Sequence, residues 1–494
     1  MSTGMKRILY IPFDHLNRDY GVLKTVDPAT DQIVIVESAR MTTGRPWHKE
    51  RLFFLISSAR HFASELTSAG YKVSYLKAQT TIDGLKRAQT ELGKLPIYSA
   101  EPSSFVQYQQ LAEFGVEFVP NDFFLTTRVD FELWAGKQKS FLMETFYRAQ
   151  RLRLGIMIED GKPKTGVWNF DKENRLPPPK NYTWPEYLVH ERDEIDLEVC
   201  AELELNPTNT WATTRSGALA QLDHFIEHNL TNFGPYEDAV SNDSWALHHS
   251  LLSPYLNNGL LHASEVISAA LVKYKAGHAP IASVEAFVRQ IIGWREYLNG
   301  MYWHLGADYK FKNGLTAERK LLPLFQDSSK TKMKCMQGIV SDIETRAWTH
   351  HIPRLMILSN LALVTGVNPI EFLDWMREQF IDATEWVMVP NIIGMGLHAD
   401  GGQLMTKPYA AGGAYISRMT QFCKGCEYDP KLRVGETACP FTTLYWDFLD
   451  RHKEEFAKNH RMSQQVAGIK RLSDLPELKL RAQQVLSGLD KGTI

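Results

Sequence analysis

The sequence predicts two unlike halves: an α/β domain with a parallel sheet, then a large all-α domain, joined by an irregular connector. Three observations predict this. Over residues 5–130 short apolar runs alternate with amphipathic stretches, the β-α-β-α order of a parallel sheet covered by helices on both faces. Over 131–205 proline and glycine break up any period, as in Gly161-Lys162-Pro163-Lys164 and Pro177-Pro178-Pro179-Lys180. From 206 to 460 apolar residues recur every three or four positions, with Gly or Pro between the segments.

In chain order, 8–11 and 32–37 read as apolar strands. An amphipathic helix over 48–69 is closed by Gly70. A strand (71–76), helix (81–92), strand (96–99), helix (104–115) and strand (117–120) complete the first domain. Such a Rossmann-like sheet takes ligands beyond the carboxyl ends of its strands, yet no G-x-G-x-x-G is present. The connector holds one helix, 141–154, with basic Arg148, Arg151 and Arg153. Helices are then predicted over 215–228, 262–276, 284–301, 353–364, 369–379 and 441–452. The charged stretch 461–494 reads as a C-terminal helical extension.

Composition sets bounds on function. The 494 residues are 44% hydrophobic and 23% charged with net charge −2, so a nucleic-acid surface would have to be a local basic patch. The 12 Trp, 19 Tyr and 24 Phe suit a large core and also a planar cofactor. No apolar run reaches the roughly 18 residues of a membrane span. The apolar run 8–12 is too short for a secretory signal, so a cytoplasmic location is expected.

There are five cysteines. Cys423-Lys424-Gly425-Cys426 followed by Cys439-Pro440 places three thiols within a short stretch, in the manner of cluster-binding loops. A fourth ligand could come from Cys335 or Cys200. Four thiolates also suit tetrahedral zinc, although a zinc ribbon usually carries two C-x-x-C knuckles.

Long strings in the helical half carry a resemblance. They are Phe233-Gly234-Pro235-Tyr236-Glu237-Asp238-Ala239, His249-Ser250-Leu251-Leu252-Ser253-Pro254-Tyr255, Arg289-Gln290-Ile291-Ile292-Gly293-Trp294-Arg295-Glu296-Tyr297, Asn391-Ile392-Ile393-Gly394-Met395-Gly396, and Lys407-Pro408-Tyr409-Ala410-Ala411-Gly412-Gly413-Ala414-Tyr415. Phe13-Asp14-His15-Leu16 and Ser58-Ala59-Arg60-His61-Phe62-Ala63 extend it into the first half. The chain resembles the photolyase/cryptochrome superfamily, in particular its iron–sulfur bacterial branch of prokaryotic (6-4) photolyases.

That resemblance implies light-driven repair of (6-4) pyrimidine–pyrimidone photoproducts in single- or double-stranded UV-damaged DNA. An electron would pass from excited reduced FAD to a flipped-out lesion. It implies a monomer in the bacterial cytoplasm, with an FAD-binding helical domain. A 4Fe–4S cluster would rest on Cys335, Cys423, Cys426 and Cys439, leaving Cys200 an ordinary thiol. His351 matches the proton donor to the lesion, a role suited to an imidazole near neutral pH, with His350, Tyr409, Tyr415 and Met395 as pocket neighbours. Tyr236, Ser250, Leu252, Ser253, Gln290, Trp294, Arg295 and Asp382 match flavin-binding positions. Met388 stands where ordinary photolyases place an Asn facing flavin N5, and a thioether cannot serve N5–H as an amide does.

Two further matches are incomplete. Trp375 corresponds to the flavin-proximal tryptophan of the branch's electron-transfer chain, but the next residue is Met376 and the usual photolyase Trp after the N5 position is Ile392; Trp348 and Trp386 remain as other stations. Asp14 and Glu37 correspond to positions near a 6,7-dimethyl-8-ribityllumazine antenna, but a second acidic position is Met41. Lys407, Arg418, Lys424 and Lys431 are candidates for DNA phosphate contacts. Two other readings stay open: a cryptochrome-like blue-light photoreceptor of the same fold, and an iron–sulfur or zinc DNA-binding protein without flavin.

Overall fold

The computed structural model describes residues 6–494; the start of the chain through Met5, read as the lead-in to the first strand, lies outside the described residues. Strands Arg7–Tyr10 (β1), Asp31–Ser38 (β2), Val73–Ala78 (β3), Ile97–Ala100 (β4) and Glu117–Val119 (β5) form one sheet in the order β3-β2-β1-β4-β5. Every pairing is parallel; Leu9 lies opposite Ile33 on one side and Tyr98 on the other. All eight residues of β2 are buried, which explains its nearly unbroken apolar run: helices cover both faces. Local caps fix the helix starts. His48 accepts from the Glu50 amide ahead of helix Lys49–Ser68, and Thr80 accepts from the Asp83 amide ahead of Thr81–Leu92.

The helical half agrees with the periodic pattern in its long members, such as Ala263–Lys275, Pro369–Gln379 and Pro440–Arg451. Four of its segments change winding. Residues Phe225–Asn229, Arg289–Arg295, Pro353–Ser359 and Pro390–Gly396 are π-helical, a wide winding that interrupts α-helices mostly at functional sites. The pattern also missed helices Arg128–Ala135, Glu194–Glu202 and Lys334–Arg346, where charged or cysteine-bearing turns obscure the apolar stripe.

The C-terminal stretch is more than an extension. Helix Leu475–Lys491 buries Leu478, Ala482, Val485 and Leu489 against helix Pro440–Arg451. Its apolar positions fall on one stripe, and its charges face out. The two halves share a core as well: Leu9, Ile33 and Phe54 of the α/β half pack in one cluster with Leu222, Tyr255 and Phe287. Arg45, beyond β2, pairs with Asp374 at 2.8 Å and Glu378 at 3.0 Å, and Arg51 donates to the carbonyls of Phe380 and Ile381. These contacts hold segment 380–385 firmly between the halves.

Candidate functional site

A cavity of about 430 Å³ opens in the helical half, in the range of cofactor pockets. Three of the four π-helical segments line it. Arg289–Arg295 contributes Gln290, Ile291, Trp294 and Arg295, Pro353–Ser359 contributes Arg354 and Leu355, and Pro390–Gly396 contributes Asn391, Ile392 and Met395.

The turn Ser250-Leu251-Leu252-Ser253 forms another wall. Leu251 sits there at φ +57°, a left-handed conformation costly for a branched side chain, held because the surroundings fix it. It leads into helix Ser253–Asn258, whose Ser253 hydroxyl donates to Asp382 Oδ2 at 2.6 Å. Arg354 grips the same carboxylate through both terminal nitrogens, at 2.9 and 3.0 Å.

A second polar group closes another part of the wall. Glu237 is buried, and burial raises its carboxyl to about 7, against the opposing pull of Arg289. Gln290 donates to Glu237, while Arg289 lies 3.3 Å from Asp171 and 3.6 Å from Glu237.

Three histidines gather at the mouth. His249 and His350 are buried and stacked with centroids 4.2 Å apart; burial drives both imidazoles well below their usual pKa, with repulsion among the three rings adding to it. His351 is half-exposed, its Nε2 3.4 Å from Asp238 Oδ1. Met395 and Tyr409 line the same cavity. Tyr415 stands just outside it, near enough to Asp238 and Tyr409 for their charges to act on its phenol, which burial raises.

Most flavin positions expected from the sequence therefore converge: Ser250, Leu252, Ser253, Gln290, Trp294, Arg295, Asp382 and Met388 share this cavity with His350 and His351. Tyr236 does not join them. Its ring is taken up by Trp184, Tyr182 and His248 in a small aromatic cluster beside the site. Sequence reasoning passed over Arg354, Asp238, Glu237 and Asn391. The pairing of Arg354 with Asp382 joins residues far apart in the chain, and spacing carries no sign of it.

The buried polar atoms test what fits. Around this cavity His249 Nε2, both His350 nitrogens, Arg295 Nε and Trp348 Nε1 lack protein partners. Buried polar groups are nearly always satisfied, so such a set fits a polar, aromatic ligand.

The four expected cysteines also converge. Cys335, Cys423, Cys426 and Cys439 line one apolar pocket with Ile416, Phe422 and Phe441, while Cys200 lies elsewhere, beside Arg192. Burial pushes the Cys335 thiol well up and the Cys439 thiol to about 11, and for Cys335 the other three thiols add to the effect. Gly413 sits so close that a Cβ there would lie 2.8 Å from Cys439 Sγ. Among the described residues, no three of these sulfurs come mutually within 4.8 Å. Tetrahedral zinc at Zn–S of about 2.3 Å would hold them roughly 3.8 Å apart.

A separate cavity of about 270 Å³ lies where the sheet's carboxyl ends meet the helical half, lined by Asp14, Met41, Trp47, Arg51, Gln107 and Glu385 among others. Glu37 is not part of it. It is buried in a bidentate pair with Arg60 at 3.0 and 3.1 Å and accepts from the Tyr75 hydroxyl, so its charge is already matched within the protein. Near the cysteine pocket, Arg418, Lys424 and Lys431 are exposed and Lys407 is half-buried; the ion pairs there engage Lys332 with Glu427 and Arg433 with Asp474 instead. No helix among the described residues is long and apolar enough to cross a membrane.

Comparison with known proteins bears on this arrangement. Residues 9–216 match the family model for deoxyribodipyrimidine photo-lyase-related protein. The chain is 40% identical over 499 aligned positions to a (6-4) photolyase of Agrobacterium fabrum, covering 97% of this chain and 98% of that one. Its fold is similar to that of a bacterial class III photolyase from Agrobacterium tumefaciens (TM-score 0.59, 16% identity, 92% and 98% of the two chains). It is also similar to a Synechocystis cryptochrome (TM-score 0.55, 14% identity, 79% and 82%). Identity sustained over nearly the full length of both chains, on the same fold, establishes that this chain belongs to the photolyase/cryptochrome family.

Proposed function

We propose that the protein is a light-driven (6-4) DNA photolyase that carries FAD in the large cavity. The observation that carries this reading is a single cavity combining a polar and aromatic lining suited to FAD with a half-exposed histidine at its mouth. When bound, reduced FAD supplies one electron under light.

The chain's own residues do the rest. Ser250 and Ser253, with the backbone of the strained turn at Leu251, are suited to pyrophosphate oxygens. The bidentate Arg354–Asp382 pair fixes the wall facing the ring system. His351 delivers a proton to the lesion, with Asp238 orienting its ring; His350 and His249, kept neutral by burial, pack behind it. Met395, Tyr409 and Tyr415 shape the pocket that receives the flipped bases. Lys407, Arg418, Lys424 and Lys431 would hold phosphates of UV-damaged DNA at the rim. Illuminating chemically reduced protein with oligonucleotides bearing defined (6-4) or cyclobutane lesions tests this. Restored pyrimidines from the (6-4) substrate are expected; no restoration from either overturns the proposal.

A 4Fe–4S cluster on Cys335, Cys423, Cys426 and Cys439 is part of the same reading. Four cysteines facing one apolar pocket, three of them in a C-x-x-C and Cys-Pro pattern typical of cluster loops, support it. A chromophore in the smaller cavity, of the ribityllumazine type, is supported by Asp14, Gln107, the unpartnered Trp47 Nε1 and its neighbouring aromatic rings; Glu37 would act only indirectly, through Arg60.

A further inference from the structure

Three tryptophans meet between the flavin cavity and the protein surface. Trp348 lines the cavity. Its ring lies 5.5 Å from Trp245 edge to face and 6.3 Å from Trp211, and Trp211 and Trp245 are 6.2 Å apart. Tyr187 packs on Trp245 at 5.0 Å and is 39% exposed. An unbroken path of oxidisable rings therefore runs from cavity wall to solvent.

Among the described residues, the other tryptophans at or beside the cavity lead to no such exit. Trp375 is buried behind Met376, and its aromatic neighbours are Phe325, Phe372 and Phe380, rings too hard to oxidise to relay a charge. Among the described residues, the aromatic neighbour of Trp386 is Phe124, a ring too hard to oxidise. Trp294 reaches the half-buried Trp134 through Tyr297. A tyrosine must shed its phenolic proton to hold a hole, and the Tyr297 hydroxyl is buried with no acceptor, its pKa raised by that burial.

Resting on the flavin reading above, we infer that Trp348, Trp245 and Tyr187 form the route by which electrons enter the flavin site in light, in place of a route through Trp375. One electron leaves Trp348 for the photoexcited oxidised flavin. Trp245 refills Trp348, and Tyr187 refills Trp245, releasing its phenolic proton to water. A small-molecule thiol then returns one electron and one proton to Tyr187, and two thiyl radicals couple to a disulfide. The Arg346 guanidinium lies 5.0 Å over the Trp245 ring, its charge offset by Asp342 at 2.8 Å. Trp211, whose Nε1 donates to the Arg346 carbonyl at 2.9 Å, packs the triangle from the side.

The test uses purified flavin-loaded protein flashed without DNA. Electron paramagnetic resonance of the wild type is expected to show a tyrosyl radical. Tyr187→Phe, a mild surface change, removes that signal and leaves a shorter-lived tryptophan radical. Trp245→Phe loses steady photoreduction in the presence of thiol, whereas Trp375→Phe and Tyr297→Phe retain it. Retained photoreduction in Trp245→Phe together with its loss in Trp375→Phe or Tyr297→Phe overturns the route. Flavin absorbance of each variant, and lesion repair by Trp245→Phe and Tyr187→Phe after reduction with dithionite, separate this outcome from failure of the photolyase reading: an intact photolyase keeps both when its light-driven reduction is broken.

Discussion

Arg354 and Asp382 face each other as a bidentate pair, at 2.9 and 3.0 Å, with the Ser253 hydroxyl on the same carboxylate. The pair joins a π-helical segment to the wall that the α/β half holds in place. Replacing Asp382 by Asn leaves the Arg354 guanidinium without a counter-charge in a mostly buried site. Breaking such a pair costs about 3–5 kcal/mol. Asp382→Asn is expected to melt earlier and to purify with little flavin; thermal melts and flavin absorbance check both.

His351→Ala should bind flavin normally and fail to repair (6-4) lesions, because it removes the one half-exposed imidazole at the mouth. Chromatography of illuminated oligonucleotides gives the readout, and unchanged repair would remove His351 from the proton-transfer role.

Cys335→Ser should strip iron and acid-labile sulfide from the purified protein, and Cys200→Ser should leave both in place, since Cys200 lies outside the pocket. Gly413→Ala tests the same pocket differently. The new Cβ would meet Cys439 Sγ and Thr442 Oγ1 at 2.8 Å, so we expect a loss of about 1–3 kcal/mol, typical of overpacking, together with lower iron content.

The pH dependence of the flavin-free protein should carry two opposing signatures. In the unfolded chain His249 and His350 take up protons near pH 6.5, and folded they do so only well below it. The unfolded state then binds more protons, so stability falls as pH drops below about 6.5. Glu237 works the other way. Its folded value of about 7 against 4.5 unfolded means the folded state holds the extra proton, and stability is lost as pH rises from 4.5 to about 7. His350→Gln should flatten the acid-side slope by up to about 1.4 kcal/mol per pH unit, measured by denaturant titration across pH 4–7.

The sheet was legible because β2 must be apolar on both faces, and the long helices because their stripes are clean. The C-terminal helix was harder to place: its stripe of Leu478, Ala482, Val485 and Leu489 is spaced among charges, and only the packing partner reveals it as core. Of the site, the contiguous strings around Ser250, Gln290 and Met395 were readable as a family pattern. Asp238 beside His351 and Arg354 on Asp382 were not, because each pair spans a large separation in sequence that only folding closes. The resemblance also suggested Glu37 for the smaller cavity, where Arg60 and Tyr75 had already claimed it, and Trp375 for electron entry, whose ring neighbours are Phe325, Phe372 and Phe380.

Asp382 lines both cavities, with Ile381, Ala383, Thr384 and Glu385 continuing the partition on the smaller side. A molecule filling either chamber therefore stiffens a wall belonging to the other. Thermodynamic linkage makes any such coupling reciprocal: whatever free energy an occupied small chamber adds to flavin retention, bound flavin must return in equal measure to the small-chamber occupant. The two halves would load their chromophores as partners in one equilibrium, and a preparation short of one should leak the other.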